Sequence, residues 1–131
     1  MKVNEIVSFL QENELGDVEI LKSEKDLLLV NFYYDFDEDL LAAAKAYAKE
    51  ECEDESSEAW EKEYYLPYLY DFCNDEVLSI VEDITEELNI AGEFMAFQMK
   101  DRTAEYVQFM ALFTNEDSDI SIEEVVKDYI G

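Results

Sequence analysis

Histidine is missing from this chain of 131 residues, and arginine occurs once, at Arg102. Without histidine there is no ordinary imidazole base, no histidine-paired nucleophile and no common zinc site. Glycine is nearly as scarce: Gly16, Gly92 and Gly131 stand alone, so no glycine-rich phosphate loop is present. The two cysteines, Cys52 and Cys73, form neither a CxxC pair nor a disulfide framework. They read as buried free thiols in a reducing compartment. No run of apolar residues is long enough to span a bilayer. The amino terminus enters an amphipathic segment, not a leader-like apolar one, and the expectation is a soluble cytoplasmic chain.

Basic charge is the other shortage. Nine Lys and Arg face 35 Asp and Glu, for a net charge of −26. Contact with phosphate or an anionic membrane needs bases to displace counterions, so neither direct nucleic-acid binding nor membrane docking is expected. The electrostatic counterpart of such a chain is a basic protein surface or a cation. Yet 49% of the residues are hydrophobic and 14% aromatic, far from the composition of a disordered acidic tail. The chain is expected to fold as a single domain over 1–131.

Periodicity supplies the elements. Val3, Ile6, Val7 and Leu10 recur at helical spacing over 2–14, with Leu15-Gly16 as the expected stop. Residues 17–23 alternate, a polar turn follows at 23–26, and Leu27 to Tyr34 is apolar at nearly every position. The latter pattern predicts a strand covered on both faces. A second helix begins within Asp35 to Asp39, with Leu40, Leu41, Ala44, Tyr47, Ala48 and Cys52 as its buried stripe. The pattern lapses at 53–57 and resumes near Glu58, and Pro67 is expected to break or kink the helix at Leu66. The clearest helix lies at about 69–89, with Cys73, Val77, Ile80, Val81, Ile84 and Leu88 on one stripe. Strands at 92–100 and 104–114 flank a turn at Asp101-Arg102-Thr103. Met95, Phe97 and Met99 alternate on the first, Val107, Phe109, Ala111 and Phe113 on the second. Ser121 and Glu124 form a capping box for a last helix at about 122–130.

The expected fold is α+β, in the order α-β-β-α-α-β-β-α. Two hairpins make a four-stranded antiparallel sheet, with helices packed mainly on one face. The repeated layout raises the hypothesis of an internal duplication, roughly 1–55 and 68–131.

Three groups of residues could carry function. Asp35, Asp37 and Asp39, like Asn115, Asp117 and Asp119, resemble the start of a calcium loop. The required sixth and twelfth residues are Leu40 and Ala46 in one case and Ile120 and Val126 in the other, so both fail and read as helix caps. The metal candidates reduce to Asp35, Asp37 and Asp39, and no cofactor is expected. The second group is acidic: Glu51, Asp54, Glu55 and Glu58, then Asp75, Glu76, Glu82, Asp83, Glu86 and Glu87. The last six carry one charge per roughly 3.7 Å of helix, against about 3.4 Å per phosphate along one DNA strand, so nucleic-acid mimicry is physically feasible. A solvated acidic face is the plainer reading. The third group is the segment Tyr64–Phe72, in which Leu66, Leu69 and Phe72 suit a core and Tyr64, Tyr65, Tyr68 and Tyr70 offer interface chemistry, with structural packing the plainer reading.

The functional expectation is a non-enzymatic binding module, of an inhibitor, immunity, nucleic-acid-mimic or chaperone kind, that engages a basic partner. The tyrosines also admit a homodimer. The alternatives are a carboxylate-based divalent-metal protein or metal-dependent enzyme, and a domain whose acidity is incidental.

Overall fold

In the computed structural model, which describes residues 2–97, 106–116 and 120–130, the expected order of elements is present. Helix α1 (Val3–Glu12) buries Ile6 and Leu10. Its end departs from expectation: the left-handed residue is Glu14 (φ 66°), not Gly16. Gly16 instead opens β1 (Gly16–Glu24), where a Cβ would lie 3.0 Å from a carboxylate oxygen of Asp35. Strand β1 pairs with β2 (Leu27–Asp35) through a ladder with two register shifts. Leu27 to Phe32 is buried without interruption, because both faces of β2 are covered. Leu28, Val30 and Phe32 point into the main core and Leu27 and Leu29 into a second one.

Helix α2 (Glu38–Glu51) starts at Asp37, whose Oδ1 accepts from the Leu40 N–H at 2.7 Å. That hydrogen bond satisfies one of the helix's free donors. Leu40, Ala44 and Ala48 are buried, but Tyr47, expected on the same stripe, is 41% exposed. A loop follows in which Asp54 Oδ1 accepts from both the N–H and the hydroxyl of Ser56.

The helical chain is not broken at Pro67, but its winding changes at Leu66, where a break or kink is expected. A π-helical turn (Trp60–Tyr65) runs directly into α3 (Leu66–Leu88), and the Leu66 N–H bonds back five residues to the Glu61 carbonyl. Pro67 sits in the first turn of α3, where its missing N–H is tolerated. Cys73, Val77, Ile80, Val81 and Ile84 form the buried stripe, and Asn89 closes the helix in the left-handed conformation (φ 56°).

Strands β3 (Ala91–Phe97) and β4 (Tyr106–Thr114) pair antiparallel, and the sheet order is β1-β2-β4-β3. The central β2–β4 ladder runs from Leu27↔Thr114 to Asp35↔Tyr106 without a shift. Met99, the turn Asp101-Arg102-Thr103, Asp117 and Asp119 lie outside the described residues. α3 packs tightly on the sheet at Gly92: a Cβ there would stand 2.8 Å from Thr85 and 3.1 Å from Val81.

The main core lies between the sheet and the first three helices, with Phe32 and Phe109 stacked 5.8 Å apart at its centre. Helix α4 (Ile122–Ile130) covers the opposite face, where Ile122, Val125 and Val126 meet Leu27, Leu29, Met110 and Leu112. The Ser121 hydroxyl accepts from the Glu124 N–H, one of the two hydrogen bonds of a capping box. A second cap comes from β3: Glu93 Oε2 accepts from the Ile122 N–H at 2.8 Å. Among the described residues, no helix is long and apolar enough to cross a membrane.

Candidate functional site

Helix α3 has two faces of opposite chemistry. Opposite its buried stripe, a rotation of 100° per residue places Tyr68, Asp71, Phe72, Asp75, Ser79, Glu82 and Glu86, with Glu76 and Asp83 on the flank. The stripe is aromatic at its start and acidic thereafter. Where it runs beside α2 it lines a groove with two lobes.

The first lobe, of about 390 Å³, lies between Tyr47 of α2 and the chain from Glu63 to Asp75. Tyr64, Pro67, Tyr68 and Phe72 make its apolar wall, and Glu63, Asp71 and Asp75 supply carboxylates. The second lobe, of about 350 Å³, is walled by Tyr34, Leu40, Ala43, Tyr68 and Phe72, with carboxylates from Asp37, Asp39 and Glu76. Tyr68 and Phe72 belong to both lobes and form the ridge between them. Across the groove Tyr47 stacks on Tyr68 at 5.2 Å.

Among the described residues, none of these six carboxylates has a salt-bridge partner, the three ion pairs being Lys2–Glu5, Lys22–Glu24 and Lys62–Glu58. No lysine lines either lobe. The two lysines of α2, Lys45 and Lys49, each follow a lining position by two residues and so point well round the helix from it. The groove therefore combines aromatic faces with carboxylates that no base among the described residues pairs, of which Asp37 is also engaged as the α2 cap. Both features attract a cation: carboxylates by charge, and aromatic faces by their quadrupole.

Tyr34 closes one end of the groove. Burial, reinforced by Glu76, Cys73, Asp37 and Glu14, pushes its phenol up to about 12. It is therefore a neutral hydrogen-bond donor at physiological pH. Cys73 lies behind it, fully buried, with its thiol also pushed up to about 12 by burial. Its Sγ donates to the Tyr70 carbonyl at 3.2 Å, the arrangement of a structural thiol. Cys52 caps the end of α2 and is also free.

The four tyrosines expected at an interface divide two and two. Tyr64 and Tyr68 line the groove. Tyr65 turns inward instead, buried and stacked on Trp60 at 4.8 Å, and burial raises its pKa. Tyr70 packs on the main core beside Phe36, ring centroids 6.2 Å apart. The π turn produces this division, because its wider winding changes which residues face inward between Trp60 and Leu66. Such turns occur often at functional sites. The Trp60 Nε1 donor behind it is buried and meets no acceptor among the described residues.

Of the acidic residues singled out in the sequence, Asp75 and Glu76 reach the groove. Glu82, Asp83, Glu86 and Glu87 are exposed farther along α3, and Glu51, Asp54, Glu55 and Glu58 are exposed near the end of α2 and the loop after it. None of these eight lines a lobe. Hydrogen bonding from Ser56 lowers the Asp54 pKa. Of the metal candidates, Asp37 and Asp39 line the second lobe, and Asp35 lies beside Gly16. Among the described residues, no three Asp, Glu or Cys side chains converge as metal ligands.

Phe72 had the signature of a core residue but is 39% exposed on the ridge. Tyr34, Tyr47, Glu63 and Asp71 also belong to the groove without having stood out in the sequence. The available signal was the helical spacing of Tyr64, Tyr68, Asp71, Phe72 and Asp75, which places them on one side of the helix. Comparison with protein-family models, with curated proteins and with solved structures finds no match for this chain.

Proposed function

We propose that this chain is a non-enzymatic binding module whose groove between α2 and α3 receives a basic segment of another protein. The observation that carries this reading is the set of six carboxylates, unpaired with any base among the described residues, around a shared aromatic ridge. The acids beyond the groove raise the local potential and speed the approach of a basic partner. The aromatic rings supply contact area, which charge alone does not. Two copies of a chain at −26 repel each other, so the groove is assigned to a different chain. Two free thiols suit a reducing compartment.

The test is affinity capture at low salt with the wild-type chain and an Asp71→Asn/Asp75→Asn variant side by side. A basic protein that leaves the wild type in one sharp salt step and is lost from the variant supports the reading. Equal retention on both would show that the groove is not the binding surface.

A further inference from the structure

The groove is not one acidic basin. Glu63, Asp71 and Asp75 serve one lobe, and Asp37, Asp39 and Glu76 the other. The ridge of Tyr68 and Phe72 separates them. A single cationic side chain can enter only one lobe and would leave the three carboxylates of the other without a cation. We infer that the occupant is a dibasic segment, with one Lys or Arg side chain seated in each lobe and its backbone crossing the aromatic ridge. This inference rests on the reading of the groove as a site for a basic protein segment.

Spacing limits the occupant. The first lobe touches α2 at Tyr47 and the second at Asp39, Leu40 and Ala43. At about 1.5 Å per residue the lobes are roughly 6–12 Å apart along the groove. Basic residues four apart on a partner helix are separated by about 6 Å, and long side chains extend that reach. Residues twelve apart are separated by about 18 Å and cannot occupy both lobes. Both lobes are partly open to solvent, which suits side chains projecting from a larger partner better than an engulfed small molecule.

Two alanine-based helical peptides of identical composition test the inference, one with its two arginines four residues apart and the other with them twelve apart. Binding is followed by fluorescence anisotropy at low salt. The closely spaced peptide is expected to bind at least tenfold more tightly. Asp71→Asn/Asp75→Asn is expected to remove most of that difference. If both peptides bind equally and Tyr68→Ala or Phe72→Ser weakens both, the dibasic inference falls and the basic-segment reading stands. If neither substitution weakens either peptide, both fall. Phe72→Ser guards against loss of fold in Tyr68→Ala, and circular dichroism of each variant verifies it.

Discussion

Tyr47 of α2 and Tyr68 of α3 stack with ring centroids 5.2 Å apart and planes 30° apart, joining the two helices where the groove lies between them. Such a pair contributes about 0.5–1.5 kcal/mol beyond the area it buries. Tyr47→Ala is therefore expected to lower stability by about 1–2 kcal/mol and to weaken binding of a basic peptide. Phe72→Ser, at a site only partly withdrawn from water, is expected to cost about 1 kcal/mol or less while weakening binding comparably. Urea unfolding and peptide titration on the same samples separate the two effects.

Gly92 is expected to be intolerant of a methyl group. A Cβ there would meet Thr85 at 2.8 Å, Val81 at 3.1 Å and Phe113 at 3.2 Å, all within the seam between α3 and the sheet. Gly92→Ala should cost about 1–3 kcal/mol, as overpacking does, and lower the urea midpoint accordingly. Gly16→Ala should cost much less, because its nearest neighbour is the mobile end of the Asp35 side chain.

Alkaline pH should destabilise the fold. Tyr34 and Cys73 have pKa values near 12 in the folded state, against ordinary values of 10.0 and 9.0. Both hold their protons more tightly folded than unfolded, so their contribution is complete below about pH 9 and is lost as pH rises toward about 12. Thermal melts should show Tm falling across this window. Tyr34→Phe should flatten the part of the fall above pH 10. In the native protein at pH 8, a thiol reagent should modify Cys52 well before Cys73.

Glu93 holds α4 from a distance of 29 residues, its Oε2 accepting from the Ile122 N–H. Glu93→Ala should cost about 1–2 kcal/mol, and Glu93→Gln less, because it keeps an acceptor oxygen and loses only the charge. Hydrogen exchange should accelerate in α4 while the main core stays protected.

The sheet and helices were legible because each element carries a continuous apolar period. Val77, Ile80, Val81 and Ile84 recur as only a helix packed on one side requires, and Leu27 to Phe32 is apolar without a gap because two layers cover it. The groove was less legible. Tyr47 and Phe72 continue the spacing of buried residues, and only the lateral placement of α2 against α3 leaves them at the surface. The side of the sheet taken by α4 and the cap from Glu93 both depend on contacts between residues far apart in sequence. Pro67 is ambiguous for a local reason: it marks a helix start as readily as a helix stop, and here the preceding turn is π-wound.

The π turn has a consequence for how the groove could vary. Deleting one residue from 61–62 would let the segment wind as an ordinary α-helix, with residues five apart in the π turn becoming neighbours four apart in the α turn. Trp60 would still face Tyr65 across one turn, and Tyr68 and Phe72 would keep their places. A one-residue change in length is thus absorbed within the turn, and the ridge stays in register with the sheet.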